Sequence, residues 1–404
     1  MALTNVPADE LEDRIETVRM KLADHGAEAL CLFSATDIEW LSGFHHLQTE
    51  RPVCLAVTQD DVHVTVPRLE LDRTDEFPIL EEIHCYYDYP GGTGQEATYH
   101  WEERSRTPEE TIREMLAELE VTDVVADMNG APGYWGYSGP ALDEFADVSV
   151  ETIDWIKEFR KTKSEVEMEL MRESAKWGNL AHRKLEEYVE PGKHELWVAK
   201  RASTEASMSM LDTLGERYDS HLRGGFPASA GFLSGQNTAL PHGLTENRRL
   251  ERGDVIITGA SANVGGYVSE LERTMFVGEA SAEHRHRFEQ MREMQQIAID
   301  ACGPGVPVAD VDQASHDYAR EQGLLEYTQH HTGHNIGMEG HEREFVDRGC
   351  DEVMQPGHAY TIEPALFVPD VAGYRHSDTV LITEDGTEVI TYYPKDIESC
   401  IIQY

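Results

Sequence analysis

The stretch GDVIITGASANVGGYVSELERTMFVG, residues 253–278, constrains the fold of this chain more than any other. Residues 253–259 are apolar enough for a buried strand, and the glycines at 265 and 266 supply a turn. The returning strand, residues 266–278, carries Glu270, Glu272 and Arg273 within four residues of one another. A carboxylate on a buried strand is costly unless it is paired, so the hairpin predicts partners brought in from elsewhere. Those carboxylates hold either a metal or something else.

Around this hairpin the chain reads as two domains. Residues 9–25 have helical spacing and stop at Gly26; residues 29–34 read as a strand. Residues 52–66 read as two strands about an acidic turn and 122–129 as another, with helices near 108–120 and 140–146. This alternation predicts a smaller α/β domain over residues 1–155. Cys31 and Cys54 lie in its apolar runs and read as core residues. GGTGQE, residues 91–96, reads as a loop without the spacing of a phosphate-binding glycine motif. Ser164 with Glu167 forms a capping box that starts the next helix. Val166, Leu170, Trp177, Ala181 and Leu185 share its apolar face, and Pro191-Gly192 ends it. Further helices at 194–215, 281–301 and 307–322 and strand-like runs at 253–259, 266–278, 359–367 and 378–391 follow. They predict an α+β domain over 156–404, with helices on one face of a curved antiparallel sheet.

Composition narrows the partners. Acidic residues number 76 against 34 basic ones, for a net charge of −42, and only nine of the basic residues are lysines. Acid is spread along the whole chain, which reads as charge-repelled solubility suited to a saline interior. The thermal melt should therefore rise in molar KCl relative to dilute buffer; an unchanged melt would refute this. No basic stripe exists to neutralise phosphates, which argues against nucleic acid. No apolar run approaches a membrane span, and the first twenty residues lack a basic and an apolar leader segment. Six scattered cysteines show no zinc or disulfide spacing. These features predict a cytoplasmic protein.

Four clusters in the second half concentrate polar residues. They are NTALPHG with His242; the hairpin; HHTGHNIGMEGHERE with His330, His331, His334, His341 and Arg343; and AYTIEPALF with Glu363, followed by GYRHSDTVLIT. Taken singly, a strand histidine is more often a satisfied core residue than a catalyst. In this order the clusters resemble the pita-bread superfamily, which groups methionine aminopeptidase, prolidase, aminopeptidase P and creatinase. The resemblance spans residues 160–395, and the first domain resembles the N-terminal domain of prolidases and creatinase. It implies a homodimer.

The peptidases of that superfamily hold two metal ions with two Asp, one His and two Glu. Laid on this chain, those positions are Gly259, Glu270, His334, Glu363 and Ser377. Glycine has no donor to offer and a neutral hydroxyl replaces a carboxylate poorly, so the resemblance leaves Glu270, His334 and Glu363 for at most one ion. Glu272 within LERT instead resembles creatinase, which works without metal. That likeness implies His242 as the proton shuttle, with Glu272 and Glu363 gripping the cationic end of a small substrate. One imidazole titrating near neutrality can both activate water and protonate a leaving nitrogen. Arg343 and Arg51 are candidates for a substrate carboxylate, and His334 and His341 for lining the site.

The leading expectation is therefore a cofactor-free, creatinase-like C–N hydrolase acting on a small guanidino, amidine or cyclic zwitterionic compound such as creatine or ectoine. The alternatives are an Xaa-Pro dipeptidase or aminopeptidase with one divalent Mn, Co, Zn or Fe ion, and a silent binding protein. The retained His242, Glu272 and Glu363 weigh against the last.

Overall fold

The computed structural model describes residues 2–87, 106–130, 139–222 and 225–404; the loop read at 91–96 lies outside them. The chain divides into two compact units, Val6–Arg160 and Lys161–Tyr404, the latter joined by Met1–Asn5.

The first unit is built on a six-stranded sheet. Its strands are β1 (Ala29–Leu32), β2 (Cys54–Val57), β3 (Val62–Pro67), β4 (Glu82–Tyr86), β5 (Asp123–Ala126) and β6 (Ser149–Thr152), in the order β4-β3-β2-β1-β5-β6. Pairing is antiparallel through β1-β2-β3 and parallel at both ends of the sheet. The helix Pro108–Glu118 buries Ile112, Met115 and Leu116 against it, in one core with Cys31, Cys54 and Val124. The cysteines are thus core residues. Asp37 and Arg160 form a buried ion pair at 2.8 Å within this unit.

The second unit carries an eleven-stranded sheet. Its strands are β7 (Ala228–Ser234), β8 (Val255–Val264), β9 (Tyr267–Val268), β10 (Leu271–Glu272), β11 (Thr274–Val277), β12 (Gly333–Asn335), β13 (Glu342–Val346) and β14 (Ala359–Ile362). After the ribbon β15 (Ala365–Val368) and β16 (Ala372–Arg375) come β17 (Ser377–Thr383), β18 (Gly386–Val389) and β19 (Ile401–Ile402). The path runs β13-β12-β14-β17-β10-β8-β11-β19, antiparallel except for the β11-β19 pair. The helices Glu165–Tyr188 and Glu195–Leu214 pack on β7 and β8; Ala282–Ala301 packs on β14 to β16 and Val308–Glu321 on β13. No described helix is long and apolar enough to cross a membrane.

The capping box at Ser164 and Glu167 forms in both directions. The buried face of that helix includes Leu170, Ala181 and Leu185 as read from the sequence, but it also runs through Met171, Ala175 and Gly178 and leaves Val166 and Trp177 half-buried. Gly178 lies so close to β8 that a Cβ there would meet Ser261 Cα at 3.4 Å. Trp177 turns outward enough for its indole N–H to donate to Glu173 at 2.9 Å.

Gly333 sets the geometry on which the site depends. A Cβ at this position would stand 1.9 Å from the carbonyl oxygen of Thr361, so only glycine lets β12 approach β14 this closely. That approach carries His334 beside Glu363. Gly333→Ala should destabilise the unit by about 3 kcal/mol, at the upper end of overpacking costs. Urea unfolding measures this, and a change below about 0.5 kcal/mol, within the range of neutral surface substitutions, would contradict it.

Candidate active site

Three donor groups meet across the successive strands β12, β14, β17 and β10. Glu270 enters β10 with its N–H donated to Thr379 Oγ1 at 2.8 Å and its carbonyl accepting the Thr379 hydroxyl at 3.0 Å. Both bonds fix the backbone, so its side chain has a defined origin. Glu363 follows β14, and its N–H donates to Thr332 O at 2.7 Å. His334, fully buried on β12, directs Nδ1 to the Asn335 carbonyl oxygen at 3.0 Å. Nε2 then faces Glu363 Oε1 at 3.3 Å and Glu270 Oε2 at 4.0 Å. A backbone carbonyl holding one ring nitrogen is the arrangement that fixes a ligating histidine's tautomer.

The fourth and fifth groups are a carboxylate and a guanidinium. Glu272 faces Ser377 across the β10-β17 pair. Its Oε1 accepts Arg375 Nη2 at 2.6 Å, and its Oε2 contacts Arg375 Nε. Arg375 Nη1 lies 3.7 Å from Glu363 Oε2. Ser377 donates its hydroxyl to Glu270 Oε1 at 2.7 Å. Gly259 stands on β8, where a Cβ would meet nothing nearer than Glu272 Oε1 at 3.6 Å.

The electrostatics follow from three carboxylates in one pocket. Burial, with Glu363 and Glu272 alongside, pushes Glu270 up to about 8. Burial also raises Glu272, though Arg375 opposes it. Glu363 feels the same burial, yet the His334 imidazole and Arg375 bring it down to about 2. Burial works against the charged form of His334, and the carboxylates of Glu363 and Glu270 outweigh it, so its pKa rises. One guanidinium and one imidazole supply too little positive charge for three carboxylates. Glu270 is the group left holding a proton near neutrality.

This donor set fits one divalent ion. Bonds of about 2.0–2.2 Å to a common centre place ligand atoms at most about 4.4 Å apart. Nε2 of His334 meets that limit against both carboxylates, and the three donor atoms all lie within 4.8 Å of one another. Two carboxylates and an imidazole suit Mn, Co, Zn or Fe. A second ion finds no donor at Gly259 and a spent hydroxyl at Ser377.

His341 is exposed and stacks its ring on His334 with centroids 4.0 Å apart. His242 is exposed in a turn. Arg343 is exposed on the edge strand β13. Arg51 belongs to the first unit, where it pairs with Glu50 at 2.5 Å. His330 and His331 lie next to the ligand strand, and burial lowers the pKa of each. Arg273 is wholly buried and binds Asp378 at 2.8 Å, so it is structural.

Two residues in this centre were given no role by sequence reasoning. Arg375 was visible only as part of GYRHSDTVLIT. Lys163, one residue before the helix cap, donates to Asn335 Oδ1 at 2.7 Å and Glu342 Oε2 at 3.0 Å. Glu342 in turn accepts the N–H groups of Met338 and Glu339, so Lys163 anchors the histidine- and glycine-rich loop. A lysine flanked by Thr162 and Ser164 carries no local signal of that task.

Residues 169–384 match the model of metallopeptidase family M24, and residues 14–120 match that of the creatinase/prolidase N-terminal domain. An uncharacterised peptidase of Staphylococcus aureus (strain USA300) is 27% identical over 95% of this chain and 99% of its own length. The Xaa-Pro dipeptidase of Pyrococcus furiosus is 31% identical over 60% of this chain and 67% of its own. Among solved structures, the Xaa-Pro dipeptidase from Bacillus anthracis superposes with a TM-score of 0.80 at 22% identity, covering 97% and 99% of the two chains. These likenesses agree with the pita-bread fold. They also correct the cofactor expectation, because the matching family is one of metallopeptidases and the buried His334 nitrogen faces two carboxylates. The peptidase alternative is accordingly better supported than the creatinase-like one.

Proposed function

The chain belongs to metallopeptidase family M24, and from that premise we propose that it is a metal-dependent peptidase of the Xaa-Pro dipeptidase kind. The observation that carries this reading is the convergence of Glu270, His334 and Glu363 on one point. These three residues would hold one divalent ion, which supplies Lewis acidity toward the scissile carbonyl.

The chain's own residues do the rest. An Xaa-Pro bond is a tertiary amide, so its nitrogen leaves only when protonated. Water adds to the carbonyl carbon, the C–N bond breaks, and the proton passes to the prolyl nitrogen. His242 is the proposed donor of that proton, with His341 beside His334 as the next site along the path. The exposed Arg343 offers a guanidinium to the substrate's C-terminal carboxylate. Glu272 is held by Arg375 and orients that wall of the pocket.

Purified protein supplied with Mn²⁺ should release proline from Ala-Pro or Leu-Pro and lose that activity to a chelator. Creatine and ectoine belong in the same assay. Full activity in the chelator, or turnover of creatine or ectoine with no Xaa-Pro cleavage, would overturn the reading.

A further inference from the structure

We propose that the Arg375 guanidinium takes the place of a second metal cation, so that the centre pairs one divalent ion with one fixed organic charge. This rests on the reading of the chain as a metal-dependent peptidase.

Three observations meet at Arg375. The first is its seat. The guanidinium binds both oxygens of Glu272 and lies 3.7 Å from Glu363, inside the carboxylate cluster. Its backbone is pinned there, because Thr274 Oγ1 accepts its N–H at 2.8 Å and donates to its carbonyl at 3.0 Å. β16 also ends at this residue, paired with Ala365, two residues after Glu363. The side chain is thus delivered to the pocket by the fold.

The second observation is that, among the described residues, the two strands flanking Glu272 offer it no other donor. Gly259 leaves open space 3.6 Å from Glu272 Oε1, and Ser377 gives its proton to Glu270. Nothing on β8 or β17 competes with Arg375 for Glu272 or would complete a shell for an ion there.

The third is charge. Glu270, Glu272 and Glu363 can carry at most three negative charges, which one divalent ion and one guanidinium already cancel. Two divalent ions beside the same guanidinium would leave two uncompensated positive charges in a buried site. His334 Nε2 faces Glu363 Oε1 at 3.3 Å, whereas Arg375 Nη1 lies 3.7 Å from the other oxygen of that carboxylate, Oε2, so an ion at His334 and the guanidinium would each have one oxygen of Glu363. Arg375 is a positioning residue. It keeps Glu272 from bridging to the ion and fixes the stoichiometry at one.

The experiment is a Mn²⁺ titration of metal-stripped protein, followed by EPR and by elemental analysis after dialysis. Wild type should bind one ion per chain with an uncoupled signal. Arg375→Met should bind its first ion at least about ten-fold more tightly, since a cation has left the pocket, and should admit a second, weaker ion. Arg375→Lys, which keeps the charge, should return to one ion. G259D/R375M/S377E should hold two ions with a coupled signal.

Two ions bound by wild type would overturn the proposal while leaving the peptidase reading intact, and so would an Arg375→Met protein with wild-type affinity and stoichiometry. No ion bound by wild type would overturn both. The wild-type measurement decides even if Arg375→Met fails to fold.

Discussion

Replacing His334 with alanine should lower kcat/KM on an Xaa-Pro dipeptide by at least about 10³-fold, which corresponds to about 4 kcal/mol of transition-state stabilisation. Among the described residues three side chains converge on the proposed ion, and His334 is the one whose Nε2 faces both of the others. Its removal leaves two carboxylates, of which Glu270 already holds a proton near neutrality because burial and its neighbours push it up to about 8. Such a pair binds a divalent ion poorly at neutral pH, since the proton must leave first. Metal content after dialysis should fall with activity, and Glu363→Gln should behave alike. A His334→Ala protein that keeps both its metal and its turnover would show that the chemistry lies elsewhere.

Much of this centre was legible in the sequence because its parts are local. Glu270, His334 and Glu363 each sit in a short stretch whose residue types suggest a site, and the capping box at Ser164 is set by residues three apart. On the following helix the buried face was read correctly at Leu170, Ala181 and Leu185, but not at Val166 and Trp177, which are half-buried. That face is decided by how closely Gly178 lies on Ser261, and no periodicity within the helix encodes that contact. Arg375 was harder still. Its role exists only because β16 ends beside Glu363 while β10 brings Glu272 from a hundred residues earlier. Glycine at 259 and serine at 377 could be read as missing ligands, but what fills the space between them depends on three strands meeting. The cofactor expectation failed for the same reason: counting absent ligands says nothing about how well the remaining three converge.

Arg273→Met should cost about 3–5 kcal/mol of stability, the range for breaking a buried ion pair from one side. The guanidinium is fully buried and donates to the carbonyls of Pro394, Tyr393, Glu272 and Ser377 as well as to Asp378. Methionine fills much of the volume but strands these acceptors. Asp378 would still have Lys395 at 2.8 Å, Gln295 and Thr391, so its charge would not be wholly orphaned, which argues for the lower half of the range. Arg273→Lys should lose less, because it keeps the charge while giving up the planar fork. The hairpin's two carboxylates and its guanidinium thus have three separate tasks. Glu270 faces the ion site, Glu272 is held by Arg375, and Arg273 ties the backbone beneath Glu272 to that beneath Ser377. Urea unfolding at constant m-value would measure the loss, and a cost under about 1 kcal/mol, no more than an exposed pair contributes, would mean that the guanidinium is not what joins these strands.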